Sequence, residues 1–241
     1  MFIGIGTVAN VAAIVSGGTL GLFFRGGLAQ HYQDAVVRML GLSSMFIGAT
    51  GALTGMLSVQ DGTLSTTSST WIILSLVLGA IIGECFNFEG RLEAFGEWLK
   101  KHASRGEDNR FVEGFVTASL VVCIGAMAIV GSLQDALLRD PSTLFTKSML
   151  DFMSVLIFAS TYGKGAIFSA IPVGILQGLT TLFASFLSPL FSPAVISSLS
   201  CLGALLIFCV GINLTFGNRF RVANLLPALI LGPIFSAFIT I

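Results

Sequence analysis

Polar side chains gather between Lys147 and Gln177 as nowhere else within the apolar segments of this sequence, and they include Asp151, Ser154, Thr161, Ser169 and Gln177. On a helix, Asp151, Ser154, Phe158 and Thr161 share one face, and in the next helix Ser169, Val173, Gln177 and Thr180 do the same. Two polar stripes on consecutive helices can line one path. A carboxylate inside a membrane is costly and normally faces a partner or a water-filled cavity. Asp151 is therefore the first candidate to bind a cation or exchange a proton. The plainer reading pairs it with Lys147, four residues earlier, near the outer surface. Gly163 and Gly165 flank a short turn able to act as a hinge. Pro172 lacks a backbone donor and should loosen the helix beyond that turn.

Glu84 offers the same choice as Asp151, with no basic residue three or four positions away. Asn10 and Asn213 lie inside apolar runs, where each amide must find a partner. Interhelical glue is the commoner role, and a solute or ion ligand is the alternative. Enzyme signatures are missing: there is no His-Glu-x-x-His, Gly-x-Ser-x-Gly or P-loop. Cys85, Cys123, Cys201 and Cys209 sit in apolar segments without Cys-x-x-Cys spacing, so neither a disulfide nor a metal site is expected. No cofactor, enzymatic activity or nucleic-acid partner is indicated.

The elements that must position these residues follow from composition. Only 24 of 241 residues are charged, and mean hydropathy is +0.93. A spanning helix needs roughly 20 mostly apolar residues. The chain offers seven clear stretches and a shorter one: 3–24, 39–57, 71–88, 111–133, 144–161, 166–186, 194–216 and 222–241. The expected fold is an all-α polytopic membrane bundle of seven or eight helices in the lipid bilayer. The fifth stretch carries Lys147 and Asp151, so a broken or re-entrant helix competes with a full span there. If all eight cross, one side holds Arg25, Arg38, Arg91, Lys100, Lys101, Arg105, Arg110, Lys164, Arg219 and Arg221. The other holds only Arg139 and Lys147. That asymmetry places both termini outside.

Three segments carry Gly-x-x-x-Gly, at Gly17/Gly21, Gly79/Gly83 and Gly174/Gly178. Each is followed by a segment containing Phe46-Ile47-Gly48, Cys123-Ile124-Gly125 or Cys209-Val210-Gly211. Glycines four apart let a second helix approach closely. The pattern predicts a single transmembrane domain over 1–241 built from repeated hairpins 3–57, 71–133 and 166–216, with extra helices 144–161 and 222–241. It admits an inverted-topology relationship between helices three to five and six to eight. Three such faces exceed the needs of internal packing, so a homo-oligomer, simplest as a dimer, is expected. Residues 89–110 form the one extended polar loop, where Leu92, Phe95 and Leu99 recur at helical spacing beside Trp98. An interfacial amphipathic helix is expected there, with docking of a soluble partner as the alternative.

The opening Gly6-Thr7-Val8-Ala9-Asn10 and Gly17-Gly18-Thr19-Leu20-Gly21, with Lys147-Ser-x-Leu-Asp151, Ala159-Ser-Thr161, Gly163-x-Gly165, Ser169-Ala-Ile-Pro172 and Gln177-Gly178, resemble the YqgA/YdfK-like bacterial membrane proteins. The resemblance covers nearly the whole chain and implies a bacterial inner-membrane location, with no established substrate or activity. From the residues themselves, the leading function is a transporter or channel for a small solute or ion. The alternative is a membrane scaffold or signalling protein acting through residues 89–110.

Overall fold

The computed structural model describes residues 2–25, 30–60, 63–66, 69–103, 110–123, 126–187 and 192–239. The chain forms helices α1 (Ile5–Arg25), α2 (Gln30–Met56), α3 (Ser69–Phe86), α4 (Phe88–Ala103), α5 (Phe111–Cys123), α6 (Ala126–Leu138), α7 (Ser142–Tyr162), α8 (Ala170–Leu182), α9 (Ala184–Leu187), α10 (Pro193–Phe216) and α11 (Ala228–Ile239). Two 3-10 turns, Lys164–Ser169 and Val222–Leu225, precede α8 and α11. Among the described residues, five segments are long and apolar enough to cross a membrane: α1, α3, α7, the 3-10 turn with α8, and α10. A sixth results if α5 and α6 form one span, bent by 58° across residues 124–125, which lie outside the described residues. The fold is thus an all-α membrane bundle.

One element was not expected. Leu57–Gln60 (β1) pairs antiparallel with Thr63–Thr66 (β2), placing Gln60 opposite Thr63. The intervening Asp61-Gly62 is a strong hairpin signal in sequence, although those two residues lie outside the described ones.

Segment 144–161, suspected of a break because of its charges, is continuous in α7. Charges four residues apart on a helix can satisfy each other without disturbing the backbone ladder. Pro172 occupies the first turn of α8, where the missing N–H breaks no interior helical bond. Gly163 and Gly217, at φ +89° and +81°, end the long helices α7 and α10 in conformations that side chains resist.

The helices group into two compact units, residues 1–38 with 91–188, and residues 39–90 with 189–241. In the first unit α1 runs parallel to α7. A Cβ at Gly17 would stand 2.5 Å from the Phe152 carbonyl oxygen, and Gly21 meets the Leu156 carbonyl in the same way. α8 lies antiparallel to α1, with Gly4 opposite Thr181 and Val11 opposite Gly174. α4 joins through Leu99, which packs with Phe111 and Phe115. Its Trp98 is 53% exposed and stacks on Phe95. Of the segment 89–110 expected to form an amphipathic helix, residues up to Ala103 are helical with Leu99 buried, while 104–109 lie outside the described residues.

In the second unit α2 packs antiparallel to α10 through Gly48 against Ala204 and Gly55 against Cys201. α3 packs on α11 through Gly79 against Ala228, and on the 3-10 turn before it through Gly83 against Asn224. Two of the three Gly-x-x-x-Gly faces are thus occupied inside the units. In the third, Gly174 touches Val11, and nothing lies within 4 Å of a Cβ at Gly178.

The hairpins 3–57, 71–133 and 166–216 each divide their helices between the two units. What the units share instead is a long helix closed by a positive-φ glycine, a 3-10 turn and a shorter helix: α7 to α8 in one, α10 to α11 in the other.

Candidate functional site

The first unit buries a charge pair at mid-helix. Lys147 Nζ lies 2.9 Å from Asp151 Oδ1 and 2.8 Å from Oδ2, and it also donates to the Val122 carbonyl at 2.8 Å. Asn10 Nδ2 reaches across from α1 to donate to Asp151 Oδ2 at 2.9 Å. Lys147, Asp151 and Asn10 are 7%, 5% and 0% exposed. Asp151 is nine residues into α7, about 14 Å along its axis at 1.5 Å per residue. Val122 belongs to the last turn of α5, where carbonyls run short of helical partners and the helix dipole is negative. Lys147 therefore serves two acceptors at once, a carboxylate and a helix-end carbonyl.

A second buried carboxylate lies nearby in sequence space but on another helix. Asp135 of α6, 1% exposed, accepts a hydrogen bond from Gly6 N at 3.0 Å. It thereby caps the positive N-terminal end of α1. Sequence reasoning ended the fourth apolar stretch at Leu133 and passed over Asp135. The available signal was Gln134-Asp135 following directly on an apolar run. At the α6–α7 turn, Asp140 is held below the usual carboxylate range by hydrogen bonds from the Ser142 hydroxyl and then its backbone N–H.

The other expected site residues divide by behaviour. Ser154, Thr161 and Ser169 donate their hydroxyls back to Leu150, Ile157 and Ala166 carbonyls at 2.9, 3.1 and 2.7 Å. They are locally satisfied. Gln177 is different: it is fully buried on α8, and neither amide atom has a hydrogen-bonding partner among the described residues. The same is true of Asn10 Oδ1, Thr7 Oγ1 and Thr181 Oγ1 in this unit. Nearly all buried polar groups in folded proteins are paired, so this set requires explanation. Of the proposed hinge glycines, Gly165 lies tight against the Phe111 backbone, and Gly163 is buried at φ +89°.

Glu84 and Asn213 belong to the second unit and have partners there. Glu84 Oε2 accepts from Arg221 at 3.0 Å, with both side chains more than half exposed. The base missing from its own helix comes from a residue 137 positions away. Asn213 closes the turn after α10: its Oδ1 accepts from Arg219 N and Phe220 N, and its Nδ2 donates to Phe220 O at 2.7 Å. That is a turn-stabilising arrangement built by one amide.

Comparison with known proteins follows the same outline. Residues 5–237 match the family described as Protein of unknown function (DUF554). The chain is 29% identical over 229 residues to the uncharacterized membrane protein YdfK of Bacillus subtilis, covering 95% of this chain and 94% of that one. It is also 29% identical over 237 residues to the uncharacterized protein YqgA of Escherichia coli, covering 97% and 96%. No solved structure matches the chain.

Proposed function

The chain belongs to the DUF554 family, and we propose that it is a transporter or channel for a small solute or ion in the bacterial inner membrane. The observation that carries this reading is the Lys147–Asp151–Asn10 network at the middle of a membrane helix. Buried ionisable groups in membrane bundles are expensive, and substrate or proton pathways are where they are most often retained. Reconstituted into liposomes loaded with pH and cation reporters, the protein is expected to dissipate imposed gradients faster than protein-free liposomes do. Equal rates across protons, monovalent cations and small neutral solutes would count against transport.

Orientation is testable by itself. With both termini outside, a cysteine replacing Arg139 at the α6–α7 turn and one replacing Lys101 at the end of α4 should be labelled from opposite sides of the membrane. Labelling of both from one side overturns the eight-span topology.

The alternative, a scaffold or signalling protein, draws on α4 and its half-exposed Trp98. Under the transport reading Trp98→Ala leaves flux unchanged. Under the scaffold reading no flux exists to change. Assembly as a homo-oligomer is compatible with either, and the mass of the protein in nanodiscs reads it directly.

A further inference from the structure

At the end of the first unit where α1 begins and α6 and α8 finish, there is a cleft of ≈ 580 Å³ lined by Phe2, Gly4, Thr7, Ala136, Gly178 and Thr181 among others. Most of that lining is apolar. Two of its groups are not: the Thr7 and Thr181 hydroxyl oxygens, both buried and without a partner among the described residues. Most other serine and threonine hydroxyls on the described helices donate to a carbonyl three or four residues back, as Thr19, Ser148 and Thr180 do.

The register of α1 on α8 extends this polar lining inward. Gly4 opposes Thr181 and Val11 opposes Gly174, so Gln177 is at the level of Thr7 to Asn10. Thr7 and Asn10 are three apart on α1, and Gln177 and Thr181 are four apart on α8, so each pair shares a face. The cleft itself reaches Thr7, Thr181 and Gly178, and the register places the fully buried Gln177 and Asn10 between it and the level of the Asp151–Lys147 pair, so that four residues with unpartnered polar atoms lie along this stretch. We propose that this row is a hydrated access path, holding water or a small neutral hydrogen-bonding solute between the cleft and Asn10.

The chemistry of the row selects a neutral occupant. Lys147 contacts both oxygens of Asp151, so the pair carries no net charge. A bare cation would have to compete with Lys147 for the carboxylate, and an anion with Asp151 for the ammonium. What is left free is an acceptor on Asn10, a donor and an acceptor on Gln177, and two hydroxyls that can do either. Water and small polyols or amides match that set. An amide left dry at this depth would be strongly unfavourable. The proposal deepens the transport reading and rests on it for the use of the path, but not for its wetness.

Cysteine accessibility in nanodiscs tests it without any substrate or gradient. Gly178→Cys probes the cleft and meets no neighbour within 4 Å, and Gln177→Cys probes the inner row. The reagent is the small, neutral, water-soluble hydroxyethyl methanethiosulfonate, matched to the neutral occupant the row selects, and Met149→Cys reports any labelling that arrives through lipid. Modification is read site by site by mass spectrometry, so the native cysteines stay in place. Because the thiolate is the reacting species, both probes should react at least about tenfold faster than Met149→Cys on the exposed apolar face of α7. Should Gln177→Cys fail to fold, Gly174→Cys, one turn further along α8 with only Val11 nearby, takes its place.

Protection by molar glycerol identifies a solute-binding path, and unprotected labelling a water path. Either sustains the proposal. Labelling at Gly178 but not at the inner probe overturns it, as does reaction only with a lipid-soluble maleimide, which would mark a groove filled by acyl chains. A wet path in a protein without flux would refute transport and leave the path standing.

Discussion

Asp151→Asn alone is expected to lower folding stability by about 3–5 kcal/mol, because it leaves the Lys147 ammonium buried without its counter-charge. The pair is 9% and 6% exposed at the side chains, so solvent offers little relief. Lys147→Met combined with Asp151→Leu removes both charges, and buried pairs replaced by apolar groups of similar size are often as stable as before. The double variant should therefore recover most of the loss in a denaturant or thermal titration. Flux separates structure from function: the single variant confounds the two, whereas a stable double variant that carries no flux assigns the pair a role in transport. Wild-type flux in that double variant would remove Asp151 from the path.

A contrast between two glycines with the same motif gives the second large effect. Gly17→Ala must push α1 away from the Phe152 carbonyl, and overpacking of this kind costs about 1–3 kcal/mol. Gly178→Ala adds a methyl where nothing lies within 4 Å, so it should be neutral or gain up to about 1 kcal/mol from helix propensity. Melting temperatures of the two variants in one detergent decide it. If Gly178→Ala destabilises as much as Gly17→Ala, then the third glycine face is packed against something outside the protomer, and the expected homo-oligomer gains its interface.

Hydropathy made the membrane bundle legible, since lipid solubility is a property of each segment alone. It could not foretell that α5 and α6 differ in direction by 58°. Val121 to Met127 is apolar around one glycine, Gly125, and contains no proline, so transfer preference says nothing about a change of axis. Polarity drew the expectation of a break to α7, but in the structure α7 is continuous, and its charges meet each other and, through Lys147, the Val122 carbonyl of α5. Asp151 and Lys147 could be paired from spacing. Asn10 could not, because its partner is set by how α1 packs along α7, which is decided by glycine contacts rather than by any local pattern. The same limit applied to Glu84, whose base arrives from the far end of the chain, and to Asn213, whose amide faces a turn and not a helix.

The separation between Asn10 and Asp151, 141 residues, also sets a clock. At roughly 5–20 residues per second of synthesis, α1 emerges about 7–28 s before the helix it packs against. During that interval Asn10 and the α1 glycine face have only lipid, the insertion machinery or a borrowed neighbour to contact. Biogenesis of this protein is therefore expected to depend on a holding step for its first helix, and slowing translation between α1 and α7 should lengthen the window in which the nascent chain is open to proteolysis.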